Sequence, residues 1–311
     1  MTPATSNDLG PSLRRGAAVL IVALALAAIS LPAFAAGVQQ KGFATPEAAV
    51  DALVAAARSD RTSELVRLLG PDSGALVTSG DPVADKQARQ KFVAAYDLKH
   101  AIEKDGDAKA ILVIGDEQWP LPIPIMQAKG GWRFDTAEGK QEILRRRIGR
   151  NELSTIEVCR AYVDAQREYA SKDRNGDGIL EYAQKFVSTK GKEDGLYWQV
   201  EPGELESPMG PLFASARAEG YRRQPYHGYY YRILTGQGKD APGGAYSYLA
   251  GKRMIGGFAL VAYPAQYGAS GVMTFIVNQD GVVYQKNLGR DTAKIARGMT
   301  VFNPDSSWTK Q

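Results

Sequence analysis

The segment VMTFIVNQDGVVY, residues 272–284, decides the reading of the fold. Val272 to Val277 is a β-branched and aromatic run, Asn278-Gln279-Asp280-Gly281 supplies turn chemistry, and Val282 to Tyr284 resumes the run, which predicts a hairpin. Outward from it, residues 226–288 keep a β character, and a closing helix is expected over Asp291 to Met299 with Asp291 as N-cap. Upstream, Thr189 to Pro211 is rich in glycine and proline and has no apolar period long enough for a helix. Before that lies a long helical pattern from Glu138 to about Ser171, with an interruption expected near Gly149. Earlier still, Lys109 to Ile114, Gln118 to Met126 and Trp132-Arg133-Phe134 read as antiparallel strands, with Pro120, Pro122 and Pro124 placing their segment at an edge or in irregular structure. Helices are expected from Thr45, over Ser63 to Leu69 and over Asp85 to Leu98. The class is therefore α+β: N-terminal helices packed on a small antiparallel sheet, central helices, and a C-terminal antiparallel β-rich domain.

The N-terminus carries a different signal. Arg14 and Arg15 precede an apolar run from Gly16 to Ile29, followed by Pro32 and Ala33-Phe34-Ala35, which reads as a signal peptide over residues 1–35 with an A-x-A cleavage site. The run is shorter than the roughly 20 residues that span a bilayer, so no transmembrane anchor is expected after cleavage, and the product is expected to be periplasmic or secreted. Expected divisions are 36–150, a helical plus antiparallel-sheet domain, 151–188, a connecting helix and loop, and 189–311, a loop-rich then β-rich domain. Removing Arg14, Arg15 and Asp8 takes the formal charge from +4 to +3, too balanced for nucleic acid. Cys159 is the one cysteine, so no disulfide forms within the chain, and its helical spacing with Ile156 and Val163 places it on a packed face.

After the long helix the chain reads Asp173, Arg174, Asn175, Gly176, Asp177, Gly178, Ile179, Leu180, Glu181. Oxygen-bearing side chains at loop positions 1, 3 and 5 and glycine at 6 match the opening of an EF-hand-type calcium loop, with the Ile179 carbonyl and Glu181 as further ligands. Gln184 replaces the bidentate glutamate at position 12, so an EF-hand proper is not expected and affinity should be modest. The competing reading is a polar turn made by Asn-Gly and Asp-Gly.

The second candidate is aromatic. Tyr226, His227, Tyr229, Tyr230, Tyr231 and Arg232 crowd one predicted strand, in which His227, Tyr229 and Tyr231 share one face and Tyr226 and Tyr230 the other. Tyrosine faces and hydroxyls suit a glycan or peptide ligand, although tyrosine is also a good strand residue on its own account. Catalytic motifs are sparse: there is no Gly-x-Ser-x-Gly, no His-Glu-x-x-His and no phosphate-cradling glycine loop. A hydrolase acting on envelope polymers would have to use His227.

Helices followed by a curved sheet ending in Gly-Gly-Trp-x-Phe-Asp resemble, over residues 43–135, the nuclear-transport-factor-like cone fold. More specific are Arg146-Arg147-Ile148-Gly149-Arg150-Asn151-Glu152-Leu153, Asp194-Gly195-Leu196-Tyr197-Trp198, Pro225-Tyr226-His227-Gly228-Tyr229-Tyr230 and Gly256 to Pro264. Through these strings the chain resembles a bacterial family called domain of unknown function 2950 over nearly its whole mature length. The resemblance implies an exported protein and brings no catalytic residue. The expectation is thus a non-catalytic envelope binding or assembly factor with a calcium loop, whose partner is an envelope protein or glycan.

Overall fold

The computed structural model describes residues 40–201, 203–222 and 225–311; the expected signal peptide lies outside them. Thr45 opens helix α1 (Pro46–Arg58) by accepting a hydrogen bond from the Ala48 amide at 3.2 Å, with Pro46 preset for the first helical position. Helices α2 (Thr62–Leu69), α3 (Gly74–Val77) and α4 (Pro82–Leu98) follow. The chain then reverses into strands β1 (His100–Asp105), β2 (Lys109–Ile114), β3 (Trp119–Pro120), β4 (Ile125–Ala128) and β5 (Gly131–Phe134). They form an antiparallel sheet in the order β1-β2-β4-β5, with β3 pairing β2 alone. Pro122 and Pro124 fall between β3 and β4, where no ladder needs their missing donors. Val50, Leu53, Leu68, Leu112, Ile125 and Phe134 make the core between these helices and this sheet.

Helix α5 (Thr136–Tyr169) is 34 residues long and runs unbroken through Gly149, contrary to the expected interruption. A glycine in a helix costs only about 1 kcal/mol, and burial of both ends of α5 in packed cores outweighs it. Leu144 sits in the first core, while Cys159, Tyr162 and Val163 sit in a second. Burial pushes the Cys159 thiol up to about 12, leaving it an unreactive packing group. The arginines before Gly149 have structural partners: Arg145 and Arg146 bond Glu142, and Arg147 donates to the carbonyls of Ala75 and Leu76.

Helix α6 (Gly210–Ala218) begins where only turns were expected, with Pro211 in its first turn. Strand β6 (Tyr229–Leu234) follows, then short pairs β7 (Gly236–Gln237) with β8 (Tyr246–Ser247) and β9 (Leu249–Ala250) with β10 (Arg253–Met254). Strands β11 (Ala259–Pro264), β12 (Met273–Asn278) and β13 (Tyr284–Asn287) complete the main sheet with β14 (Thr309–Lys310). Its order, β14-β13-β12-β11-β6, is antiparallel throughout, and the expected hairpin is its β12–β13 pair. Helix α7 (Thr292–Gly298) packs against β11; Asp291 precedes it but makes no side-chain cap bond. Every residue of β11 is buried, with α5 lying across β11 and β12. No helix among the described residues is long and apolar enough to cross a membrane.

Candidate functional site

A cleft of about 1160 Å³ opens between α5, α6, β6 and the segment 186–197. Three of the four tyrosine and histidine candidates, Tyr226, Tyr229 and Tyr231, line it; His227 does not. The reason is local backbone geometry. His227 and Gly228 both have positive φ, +50° and +76°, and form the two-residue tip of a hairpin closed by Tyr226 and Tyr229, whose amides and carbonyls bond reciprocally at 2.9 and 3.1 Å. Strand alternation therefore starts at Tyr229, and the expected face shared by His227 with Tyr229 and Tyr231 does not form. The His227 ring packs on Tyr226, 4.0 Å between centroids, and makes no hydrogen bond among the described residues.

The tyrosines differ in what they offer. Tyr229 is fully buried and donates to the Met273 carbonyl at 2.9 Å, so its role is to seat the cleft floor. Tyr231 bonds Tyr226 O and Thr155 Oγ1. Tyr230 is 41% exposed, with its ring 5.6 Å from that of Tyr263 and tilted 39° to it. Burial, reinforced by the Glu219 charge, pushes the Tyr226 hydroxyl up to about 12, so it remains a neutral donor.

The opposite wall comes from residues that the sequence does not mark as a site. Tyr197 stacks on Phe213 of α6 at 4.4 Å with an interplanar angle of 6°, and the Arg217 guanidinium lies 4.9 Å over the Tyr197 ring. Tyr197 is held by a closed loop: Asp194 accepts from Thr189 N at 2.6 Å and pairs with Lys185 at 2.7 Å. Burial opposes ionisation of Asp194, but these bonds prevail and hold its carboxyl at about 2. The missed signal was Pro211 followed by Leu212, Phe213, Ala216 and Arg217, an i, i+1, i+4, i+5 pattern that describes one helical face.

The cleft is anchored to the N-terminal helices by one buried carboxylate. Asp81, the N-cap of α4, has no exposed surface. Its Oδ1 accepts from the Ala84 amide at 3.0 Å, and its Oδ2 accepts from Tyr221 Oη at 2.9 Å and the Gly228 amide at 2.8 Å. Gln87 of α4 adds a bond to the Glu219 carbonyl at 2.7 Å.

The loop 173–181 lies elsewhere, at the end of α5. Asp173 accepts from the amides of Asn175, Gly176 and Gly178, which hold its carboxyl below the usual range. The amide of Asn175 donates to Asp177 at 3.2 Å and to Glu181 at 3.0 Å, so these three side chains converge. Arg253 of β10 also reaches Asp177, at 2.5 Å. Ile179 donates its amide to Asp177 Oδ1. Burial, then the Asp177 charge, raises the Glu181 carboxyl. No group of three or more His, Cys, Asp or Glu side chains suited to a metal occurs among the described residues; the converging set here draws on an asparagine.

The family described as "Protein of unknown function (DUF2950)" matches residues 40–311. No curated protein and no solved structure matches the chain.

Proposed function

The chain belongs to the DUF2950 family, and from that premise we propose that it is an exported, non-catalytic binding protein of the cell envelope. The cleft takes a glycan or peptide chain and the loop after α5 takes calcium. The observation that carries this reading is the cleft itself. Its volume, about 1160 Å³, exceeds the 300–1,000 Å³ usual for small-molecule pockets, and its walls are flat aromatic faces rather than a nucleophile with its base. Stacking on such faces costs little side-chain entropy and contributes about 0.5–1.5 kcal/mol per ring pair.

The test is calorimetric titration of the purified protein with glycan strands released from peptidoglycan, in parallel with Tyr197→Ala and Tyr230→Ala. Saturable binding is expected, with affinity lowered about tenfold by each substitution, equivalent to about 1.4 kcal/mol. Silence toward glycan strands and toward peptidoglycan stem peptides would remove the reading.

Calcium gives a second measurement. A ligand at one to ten times its dissociation constant stabilises the folded state by about 0.4–1.4 kcal/mol. Extracellular calcium modules work at roughly 10⁻⁴ to 10⁻³ M, so millimolar calcium after EDTA should raise the melting temperature by about 1–5 °C, and magnesium should not. Asp177→Ala should abolish the rise while costing little itself, because its ion pair with Arg253 is partly exposed. The increment should also depend on pH. With a raised folded pKa, Glu181 contributes stability below its unfolded pKa and loses it as pH rises through the folded value. A cation relieves that loss, so the calcium increment is largest above the Glu181 titration and fades below it. An unchanged melt with calcium at neutral pH would reduce the loop to a polar turn.

A further inference from the structure

Given the binding role just proposed, charge on the cleft walls narrows the ligand further. Arg217 and Arg222 both line the cleft; the nearest acid, Glu219, is not among the lining residues and acts on the Tyr226 hydroxyl. Neither arginine takes part in an ion pair among the described residues, although elsewhere the chain pairs its arginines readily, as in Arg58 with Asp97 and Arg174 with Glu193. The Arg217 guanidinium is held flat on Tyr197, which is itself stacked on Phe213, so its orientation is set before any ligand arrives. A guanidinium seated on a ring keeps its N–H edge free, and that edge matches a carboxylate. Beside it, Tyr230 and Tyr226 offer a ring face and a neutral hydroxyl of the kind that packs against a sugar ring.

We infer that the cleft binds an acidic oligosaccharide, a chain of sugar rings carrying carboxylates, with the rings on the tyrosines and a carboxylate on Arg217 and Arg222. A glycan strand freed of its stem peptides is such a polymer, since every second ring then bears a free lactyl carboxylate. The protein needs no chemistry to hold it: ring faces supply contact area, and two unpaired cations supply the preference for charge.

Two probes of equal length separate the terms. One is the peptide-free alternating strand with its lactyl carboxylates; the other is the N-acetylglucosamine oligomer, which lacks only those groups. The purified protein should bind the first at least tenfold more tightly, and the difference should shrink as salt rises, since exposed charge pairs are screened. The double variant Arg217→Gln/Arg222→Gln should bring affinity for the alternating strand down to that of the neutral oligomer measured on the same variant. Esterifying the lactyl carboxylates should do the same with the parent protein. Equal affinity for both oligomers would overturn the acidic preference and leave the binding role intact, whereas failure of both to bind would remove the sugar ligand altogether. An acidic peptide such as oligoglutamate that binds as tightly as the alternating strand would overturn the assignment to sugar.

Discussion

Asp81→Ala lowers the stability of the folded chain by about 3–5 kcal/mol, an effect on the order of 10 °C in melting temperature. The substitution removes three hydrogen bonds at once from a site with no access to water. Losing the N-cap of α4 costs about 1 kcal/mol. Leaving the Gly228 amide and the Tyr221 hydroxyl buried without an acceptor costs about 1–3 kcal/mol each. Asp81→Asn does not restore the site. Oδ1 faces one donor and Oδ2 faces two, so either orientation of the amide points an NH₂ at a backbone N–H. Tyr221→Phe removes one of the three donors and should cost about 1 kcal/mol. Chemical denaturation of the three variants checks the order. A midpoint for Asp81→Ala equal to that for Tyr221→Phe would show that the carboxylate is not the strut between α4 and the cleft.

Alanine at two glycines of the same helix gives effects of opposite sign. Gly139→Ala would place a Cβ 2.3 Å from the Pro122 carbonyl oxygen and 2.7 Å from the Ile123 amide nitrogen. Both are backbone atoms between β3 and β4, so α5 or the sheet has to move, at a cost of about 3 kcal/mol. Gly149→Ala meets nothing within 4 Å. It should stabilise the chain by about 0.5–1 kcal/mol, by raising helix propensity and reducing the freedom of the unfolded chain. Thermal melts of the two variants beside the parent decide the matter. A stabilising Gly139→Ala would mean that α5 does not rest on the 122–123 backbone.

Much of the fold was legible because local periodicity reports burial. The 272–284 hairpin, the N-terminal helices and the Lys109 to Ile114 strand each alternate or repeat in the way their buried faces require. Failures fell where a local signal competes with distant packing. Gly149 reads as a break, but the two cores that hold Leu144 and Tyr162 keep α5 straight through it. Helix α6 was hidden by the glycines and prolines before it, which masked the short face of Leu212, Phe213, Ala216 and Arg217 that lines the cleft. His227 was misplaced because His-Gly is an unusual hairpin tip; Asn-Gly there would have announced the turn.

The sequence by itself determined the family, the α+β class, the lone packed cysteine and the tyrosines that line one wall of the cleft, since each is a property of residue type and short-range spacing. The tertiary structure alone decided the rest of the site. Tyr197, Phe213 and Arg217 stack across 20 residues of chain, and Asp81 reaches Tyr221 and Gly228 across 140 and 147. Hydrogen bonds and ring stacking act over a few ångströms whatever the chain separation, so which residues meet depends on how helices and sheet close on one another. No local pattern carries that information.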